Sequence, residues 1–539
     1  MTAATTPVIT PPPAAPAPDN ASVPDNAPGA PILVLQMQRM GDLVLTFPLL
    51  AWLRAEHPRR PLWVVGEEKF FQGLMPIGPE AVFFPYAAAH RLRQRRYHLV
   101  INLSHRPEAA VLAGQLRADA RFGPCQIGEG TGEGTGPGTG AGGGRTTYVH
   151  GRWQLYRTSL VHNNRHNQFH WADLNALDCI PPARLRSTDW PAPQHQGRDP
   201  LRVGLFLGAS EPEKHPGAPF WATLARDLLR RGLKPVLLGG PAEAALGADV
   251  ARRASTPALN LCGRFTLPEL VAFTRSLRLL VTPDTGPMHV AAWTQTPTLN
   301  LSMGPVNAWE TAPFPPGHHV LRATISCVGC WRCTQPSVLC RDRFDPVRVA
   351  SLVHALLREQ DAAPALPPAS TSSPGDGAET FAPASRLARL RLPGLELLRT
   401  GRDALGLFDL VPLSSPGGGP EAAPRRLFGL FWKAFWAWRL GLHGEAAARR
   451  AWADLAAASP RLAEALRRAL SGLGRDLARA LRGLGSGQAT LPPDFWHRHP
   501  PMLRPLTGYL HMAVQNADAT PAAWAEALEL VEALAALTA

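Results

Sequence analysis

The stretch "RLLVTPDTGPMHVAAW", residues 278–293, joins an apolar run to an alanine-rich one through Asp, Thr, Gly and Pro. An apolar run of this length reads as a buried strand, and the alanine-rich part has helical composition. Asp284 and Thr285 stand where a helix cap belongs, and Pro287 fits the first turn because its missing N–H wastes no donor. By itself the stretch is a strand, a turn and a helix. Whether the turn is also a site depends on what lies around it.

Similar strand-to-helix joints recur on both sides. "ILVLQM" begins at Ile32 and runs through "GD" into "LVLTFPLLAWLRAEHP", placing Asp42 at the turn. "PLWVVG" and "HLVINL" come next as short apolar strands. From about residue 196 a second series begins with "LRVGLFLGA", "KPVLLGG", "PALNLCG" and "TPTLNLS". Strands alternating with helices predict parallel sheets covered on both faces. The fold class is therefore α/β, in two halves: residues 31–195 and 196–360. Residues 1–30, rich in Pro and Ala, cannot bury a core and read as a disordered leader. The glycine-rich insert 128–144 reads as a surface loop, since no strand runs into it and no helix pattern comes after it. A Pro/Ser/Gly-rich linker covers 361–384. Residues 385–539, rich in Ala, Leu and Arg, read as an all-α region without strands.

Length and composition narrow the function. A chain of 539 residues exceeds one ordinary core, and 45% hydrophobic content suffices for packed domains. The net charge of +13 is carried almost wholly by arginine; lysine occurs only at 69, 214, 234 and 433. Basic runs are scattered and lack interleaved aromatics, so a nucleic-acid partner is not expected. No signal-peptide pattern and no apolar run long enough to span a bilayer is evident, which reads as a cytoplasmic protein. Seven cysteines in such a chain do not suggest a disulfide scaffold.

In open α/β sheets ligands bind beyond the carboxyl ends of the strands, and the polar signals fall there. Asp42 comes after the first strand, Lys214 lies in "GASEPEKHP", Glu243 in "LLGGPAEAALG", and the Asp284–Thr285–Gly286 turn completes the set. Each alone is a cap or a turn. Together they describe a nucleotide-sugar site. The N-terminus of the helix opened by Thr285 and Gly286 favours a diphosphate, with Gly286 permitting close approach. Lys214 adds a point charge, and Glu243 accepts hydrogen bonds from a ribose. A dinucleotide enzyme is disfavoured because no GxGxxG stands after the first strand.

From about Ile32 to Gln360 the chain resembles glycosyltransferase family 9, the lipopolysaccharide heptosyltransferases. The segments that carry the resemblance are "RMGDLVLTFPLL", "RYHLVINLSHRPEAAVLAGQLRADARFG", "GASEPEKHPGAPFWATLA", "LGGPAEAALGADVA", "LCGRFTLPELVAFTRSLRLLVTPDTGPMHVAAW" and "LNLSMGPVNAWETAPFPP". The resemblance implies the GT-B fold, two Rossmann-like domains facing a cleft: an acceptor domain at 31–195 and a nucleotide-sugar domain at 196–360. It implies inverting transfer with no catalytic metal, and the chain has no Asp-x-Asp for one. Asp42 is then the general base. Lys214 and the Asp284–Thr285–Gly286 turn, with Pro287, stabilise the leaving diphosphate, and Glu243 binds the ribose. His289, one helical turn in, either faces the donor or packs. The implied donor is an ADP-heptose-like nucleotide-diphosphate sugar, and the implied acceptor is a lipopolysaccharide core or another surface glycan or glycolipid. A protein acceptor, or a non-catalytic GT-B scaffold or sugar-binding protein, is the alternative.

Three further signals stand apart. "CVGCWRCTQPSVLC" gathers Cys327, Cys330, Cys333 and Cys340, a spacing suited to a structural zinc ion or an iron–sulfur cluster. A metal-sensing protein built on this cluster is disfavoured by its place outside the cleft motifs. His162, His166 and His170 recur every fourth residue and read as one polar face of a helix. "RRLFGLFWKAFWAWRLGL", residues 425–442, reads as a buried helix, with peripheral contact at the inner face of the inner membrane as the sharper alternative.

Overall fold

The computed structural model describes residues 29–127, 146–161, 163–192, 199–256, 259–327, 329–330, 332–362, 387, 390–413, 422–485 and 495–539. The leader 1–28, the insert 128–144 and most of the linker 361–384 lie outside them.

Two sheets carry the architecture. The first has β1 (Ile32–Leu35), β2 (Leu62–Gly66), β3 (Val82–Pro85), β4 (Arg96–Asn102), β5 (Arg117–Ile127) and β6 (Thr146–His150), in the order β3-β2-β1-β4-β5-β6. All pairings but the last are parallel. The second has β7 (Arg202–Phe206), β8 (Lys234–Leu238), β9 (Leu279–Pro283), β10 (Thr298–Ser302), β11 (His319–Ala323), β12 (Leu395–Arg402) and β13 (Phe408–Pro412), in the order β13-β12-β11-β10-β9-β7-β8. Continuous apolar runs form the central strands because helices cover both faces of a parallel sheet; β1 and β9 are buried at every residue. Strand order reverses between β1 and β4 in one sheet and between β7 and β9 in the other. These are the switch points where a crevice opens at the strands' carboxyl ends.

The expectation of an all-α region over 385–539 needs correction. Residues 395–412 form β12 and β13, which extend the second sheet antiparallel to β11, with Val320 opposite Leu398. Arg399 and Arg402 interrupt the apolar alternation of "LELLRTGR", so the segment does not announce itself as a strand. Helices begin only at Ala422: Ala422–Arg439, Glu445–Ala458, Pro460–Gly485, Arg504–Asn516 and Pro521–Thr538.

The helical region shares a core with the first α/β unit. Trp436 is fully buried and meets the Tyr156 ring at 5.2 Å and the Tyr509 ring at 4.7 Å. Tyr156 lies on the helix Arg152–Ser159 of the first unit. Asn516 pairs with the backbone of β6, accepting from Val149 N at 2.6 Å and donating to Val149 O at 3.0 Å. The buried-helix reading of 425–442 holds for Phe428, Phe431, Trp432, Phe435 and Trp436, which are buried against protein, while Trp438 is half-buried. Among the described residues no helix is long and apolar enough to cross a membrane.

The histidine series is also corrected. His162 lies outside the described residues. His166 ends a 3-10 turn (Asn164–His166), and His170 is the N-cap of the helix Trp171–Leu174, accepting from Ala172 N at 3.1 Å. No single helix links them, because the asparagine-rich "NNRHNQ" uses its side chains to bridge the two units instead.

Candidate active site

Asp42 and the Asp284 turn come together where the two α/β units meet. Asp42 lies in the short helix Met40–Val44 after β1, and Gly286 opens the helix Gly286–Trp293 after β9. The two helices touch: a Cβ on Gly41 would stand 3.1 Å from His289 Cδ2 and 3.5 Å from Gly286 Cα. Glycine at 41 is what lets the backbones approach. Arg39 adds a second tie between the units, donating from Nη1 to Ser210 Oγ at 2.9 Å.

Asp42 does cap its own helix, accepting from Arg39 N at 3.2 Å. Burial nevertheless lifts its carboxyl above the ordinary value. The Arg39 amide and the Arg157 and Arg39 charges pull it back, and the Asp284 charge adds to the rise. A half-buried carboxylate whose proton affinity is raised is better suited to accept a proton than a solvated one. Arg157 is buried and fixed by donating from Nη2 to Leu103 O at 2.8 Å.

Asp284 is buried and accepts from Thr311 Oγ1 at 3.0 Å. His289 Nε2 stands 3.9 Å from Asp284 Oδ1. Burial lowers the His289 pKa to about 4, with Asp284 opposing and the Lys214 charge reinforcing the shift. The imidazole is thus neutral at pH 7, and its buried Nδ1 has no partner among the described residues. No side chain caps the helix at Thr285, and its first residue, Gly286, lies against Met40 and Gly41. Pro287 occupies the first turn, as its ring requires.

Lys214 ends the 3-10 turn Pro212–Lys214 after β7 and is 3.6 Å from Glu211. Glu243 sits after β8 and accepts from Gly240 N at 2.7 Å. Its carboxyl lies against Gly208, where a Cβ would overlap it, so the ends of β7 and β8 share one floor. The structure thus joins Asp42, Asp284, Thr285, Gly286, His289 and Lys214 in one electrostatic neighbourhood. Glu243 stands on the adjoining floor, with no contact to that group.

The four cysteines lie outside the crevice. Cys340 Sγ contacts Gly304 O at 3.6 Å, and Arg341 donates to Pro212 O at 3.4 Å, so their loop backs the turn that carries Lys214. Burial raises the Cys330 thiol, and the charges of the other three cysteines raise it further. Among the described residues, no three or more His, Cys, Asp or Glu are placed to hold a metal ion.

One buried network has no counterpart in the sequence motifs. Glu310 accepts from Asn164 Nδ2 on one oxygen and from Asn167 Nδ2 on the other, both at 2.8 Å. Asn307 Nδ2 donates back to Asn164 O at 2.8 Å and Asn167 O at 2.9 Å. Burial drives the Glu310 pKa up to about 8, against the asparagine hydrogen bonds. His170 adds a contact to Ala312 O at 2.9 Å. These residues lock the first unit to the wall that carries Thr311 and hence Asp284. The asparagines of "NNRHNQ" and of "GPVNAWET" were the available signal, but nothing in their spacing pairs them.

With this geometry established, comparison with known proteins gives a class. Residues 182–338 match the family model described as Glycosyltransferase family 9 (heptosyltransferase). The match covers the end of the first α/β unit and most of the second, so this part of the chain is similar to the family 9 glycosyltransferases. No curated protein sequence matches the chain. Among solved structures it is similar to the glycosyl transferase family 9 from Veillonella parvula DSM 2008, at 21% identity and TM-score 0.44 over 61% of this chain and 98% of that one. It is similar to E. coli ADP-heptose lps heptosyltransferase II, at 18% and 0.43 over 61% and 99%. A third is the iron-containing dodecameric heptosyltransferase TibC in complex with ADP-D-beta-D-heptose, at 13% and 0.38 over 61% and 77%.

Proposed function

We propose that the chain transfers a heptose-like sugar, with inversion and without a catalytic metal, from an ADP-activated donor to a lipopolysaccharide-core or related surface glycan. The observation that supports this reading is the direct packing of the Met40–Val44 helix on the Gly286–Trp293 helix, which brings Asp42 and the start of the second helix together beyond the ends of β1 and β9. Asp42 takes the proton of the acceptor hydroxyl as its oxygen bonds to the anomeric carbon. The bond from that carbon to the diphosphate breaks, and its electron pair leaves with the phosphate. Lys214 and the amides at Gly286 meet the developing charge, where fixed donors in a dry site act most strongly. Glu243 holds the ribose on the floor beside Gly208. Nucleotide release from a panel of ADP-, UDP- and GDP-sugars, each with a glycan acceptor, tests the reading. Release with an ADP-sugar, reduced about 10²–10⁴-fold in Asp42→Asn, is expected. Full transfer by a folded Asp42→Asn protein would overturn the assignment of the base.

The cysteine loop is proposed to hold a structural zinc ion or iron–sulfur cluster through Cys327, Cys330, Cys333 and Cys340. The set fits such a centre in residue type and number, since four of the chain's seven cysteines fall within these positions. The sulfurs must draw together to ligate it, and no step of the transfer passes through it. Its place behind the Lys214 turn makes it a brace. Elemental analysis of anaerobically purified protein tests this: near one zinc or a full iron complement per chain is expected, and absence of both refutes it.

A further inference from the structure

A pocket away from the cleft motifs opens where three parts of the chain meet: the 165–168 turn of the first unit, β11 and β12 of the second, and the start of the helix Ala422–Arg439. Among its lining residues Arg165, Arg322, Arg425 and Arg426 face a single carboxylate, Glu396. The arginines come from three separate elements, so their meeting is a product of the tertiary fold rather than of one charged helix face.

Three of the guanidinium groups are held in place. Arg322 is 6% exposed and lies over the Trp309 ring, with 4.8 Å from Cζ to its centroid. Arg165 donates to Ser326 O, and Arg425 donates to Ile325 O at 2.5 Å. Their charges act on the neighbourhood: after burial, Arg425 and Arg165 help drive the His166 pKa down to about 3. Arg322 Nε stands 3.0 Å from Glu396 Oε1 but without hydrogen-bonding alignment. That atom and Arg165 Nε are buried donors with no hydrogen-bond acceptor among the described residues.

Buried like charges and unmet donors are costly unless something compensates them. Methionine or leucine would fill the same space without that cost. Planar guanidinium forks held in one pocket match the oxygens of a phosphoryl group, and its charge of nearly two answers the cationic excess better than a carboxylate's one. We propose that this pocket binds a phosphoryl group, as free phosphate or as a sugar phosphate, at a site separate from the one that holds the donor diphosphate.

The test is isothermal titration of the full-length protein with inorganic phosphate at matched chloride concentration, in a Lys214→Met background so that the donor site does not contribute. Saturable binding is expected, weakened about tenfold or more by Arg426→Met and by Arg165→Met. Circular dichroism checks that each variant is folded; the two variants come from different elements, so either one alone suffices. Titration with a hexose phosphate separates the sources. Tighter binding than inorganic phosphate places the group on a glycan, and equal binding makes the ligand the free ion. No saturable binding in the Lys214→Met protein, or binding that both arginine variants leave intact, overturns the proposal.

Discussion

Replacing Glu310 by Gln should flatten the chain's stability profile between weakly acidic and weakly basic pH. Glu310 is 1% exposed and its folded pKa stands near 8, against an ordinary 4.5. A raised folded pKa means that between these two values the native state holds a proton the unfolded chain has lost. Stability from this group is therefore fully present below about pH 4.5 and is lost as pH rises through 8. At 1.36 kcal/mol per unit, the shift sets a ceiling of roughly 5 kcal/mol on the change across the window. The substituted amide cannot ionise, so the difference in stability between wild type and Glu310→Gln isolates the effect while all other titrations cancel. The variant itself loses one acceptor, because an amide offers one oxygen to the two asparagines, at a cost of about 1–3 kcal/mol. Urea midpoints measured from pH 5 to pH 9 read the difference; with m near 3 kcal/mol/M the wild-type lead should fall by about one molar or more and change sign within the window. Parallel midpoint profiles would mean that Glu310 is already ionised in the fold, and the buried-acid account of the interdomain lock would fail.

Three other perturbations test separate parts of the structure. The acid limb of kcat/KM should lie above the ordinary carboxylate value, because burial raises Asp42 and the base must be ionised to work; activity then falls as pH drops through that raised pKa, and a limb at or below the ordinary value of 3.8 contradicts it. Gly208→Ala pushes its Cβ into the Glu243 carboxyl, so KM for the nucleotide sugar should rise about 2–10-fold with kcat nearly unchanged, as measured by steady-state nucleotide release. Trp436→Ala removes a fully buried ring between Tyr156 and Tyr509 and should cost about 3–5 kcal/mol by chemical denaturation. A loss below about 1 kcal/mol would show that the helical region does not share its core with the first unit.

How much of the molecule was legible in its sequence depended on the distance over which each signal acts. β1, β7 and β9 announce themselves because a strand buried on both faces is a short, uninterrupted apolar run with a polar turn at its end. Asp42, Lys214, Glu243 and Asp284 stand out for the same reason: the fold places ligands at those turns. The Glu310 network was not legible, since its partners lie 143 and 146 residues away and no local pattern joins a carboxylate to asparagines so remote. β12 was hidden by Arg399 and Arg402, and the histidine series misled because a spacing of four suits a helix even where asparagines break one. His289, which the sequence left between two roles, is buried and packs on Gly41, with its Nδ1 unpartnered among the described residues.

The chain's path after β11 has a mechanical consequence. It adds two strands to the edge of the second sheet, then crosses to bury a tryptophan-rich helix in the first unit's core. Lys433 fastens the crossing, reaching Asp403 Oδ2 at 2.8 Å and Phe408 O at 3.1 Å from the helix. Asp173 of the first unit accepts from Phe408 N at 2.7 Å on the opposite side. Two bodies joined by one linker open like a book, whereas two bodies also stitched along a second edge can only rock about that seam. Any opening of the two units must then pivot about an edge built by the residues after β11.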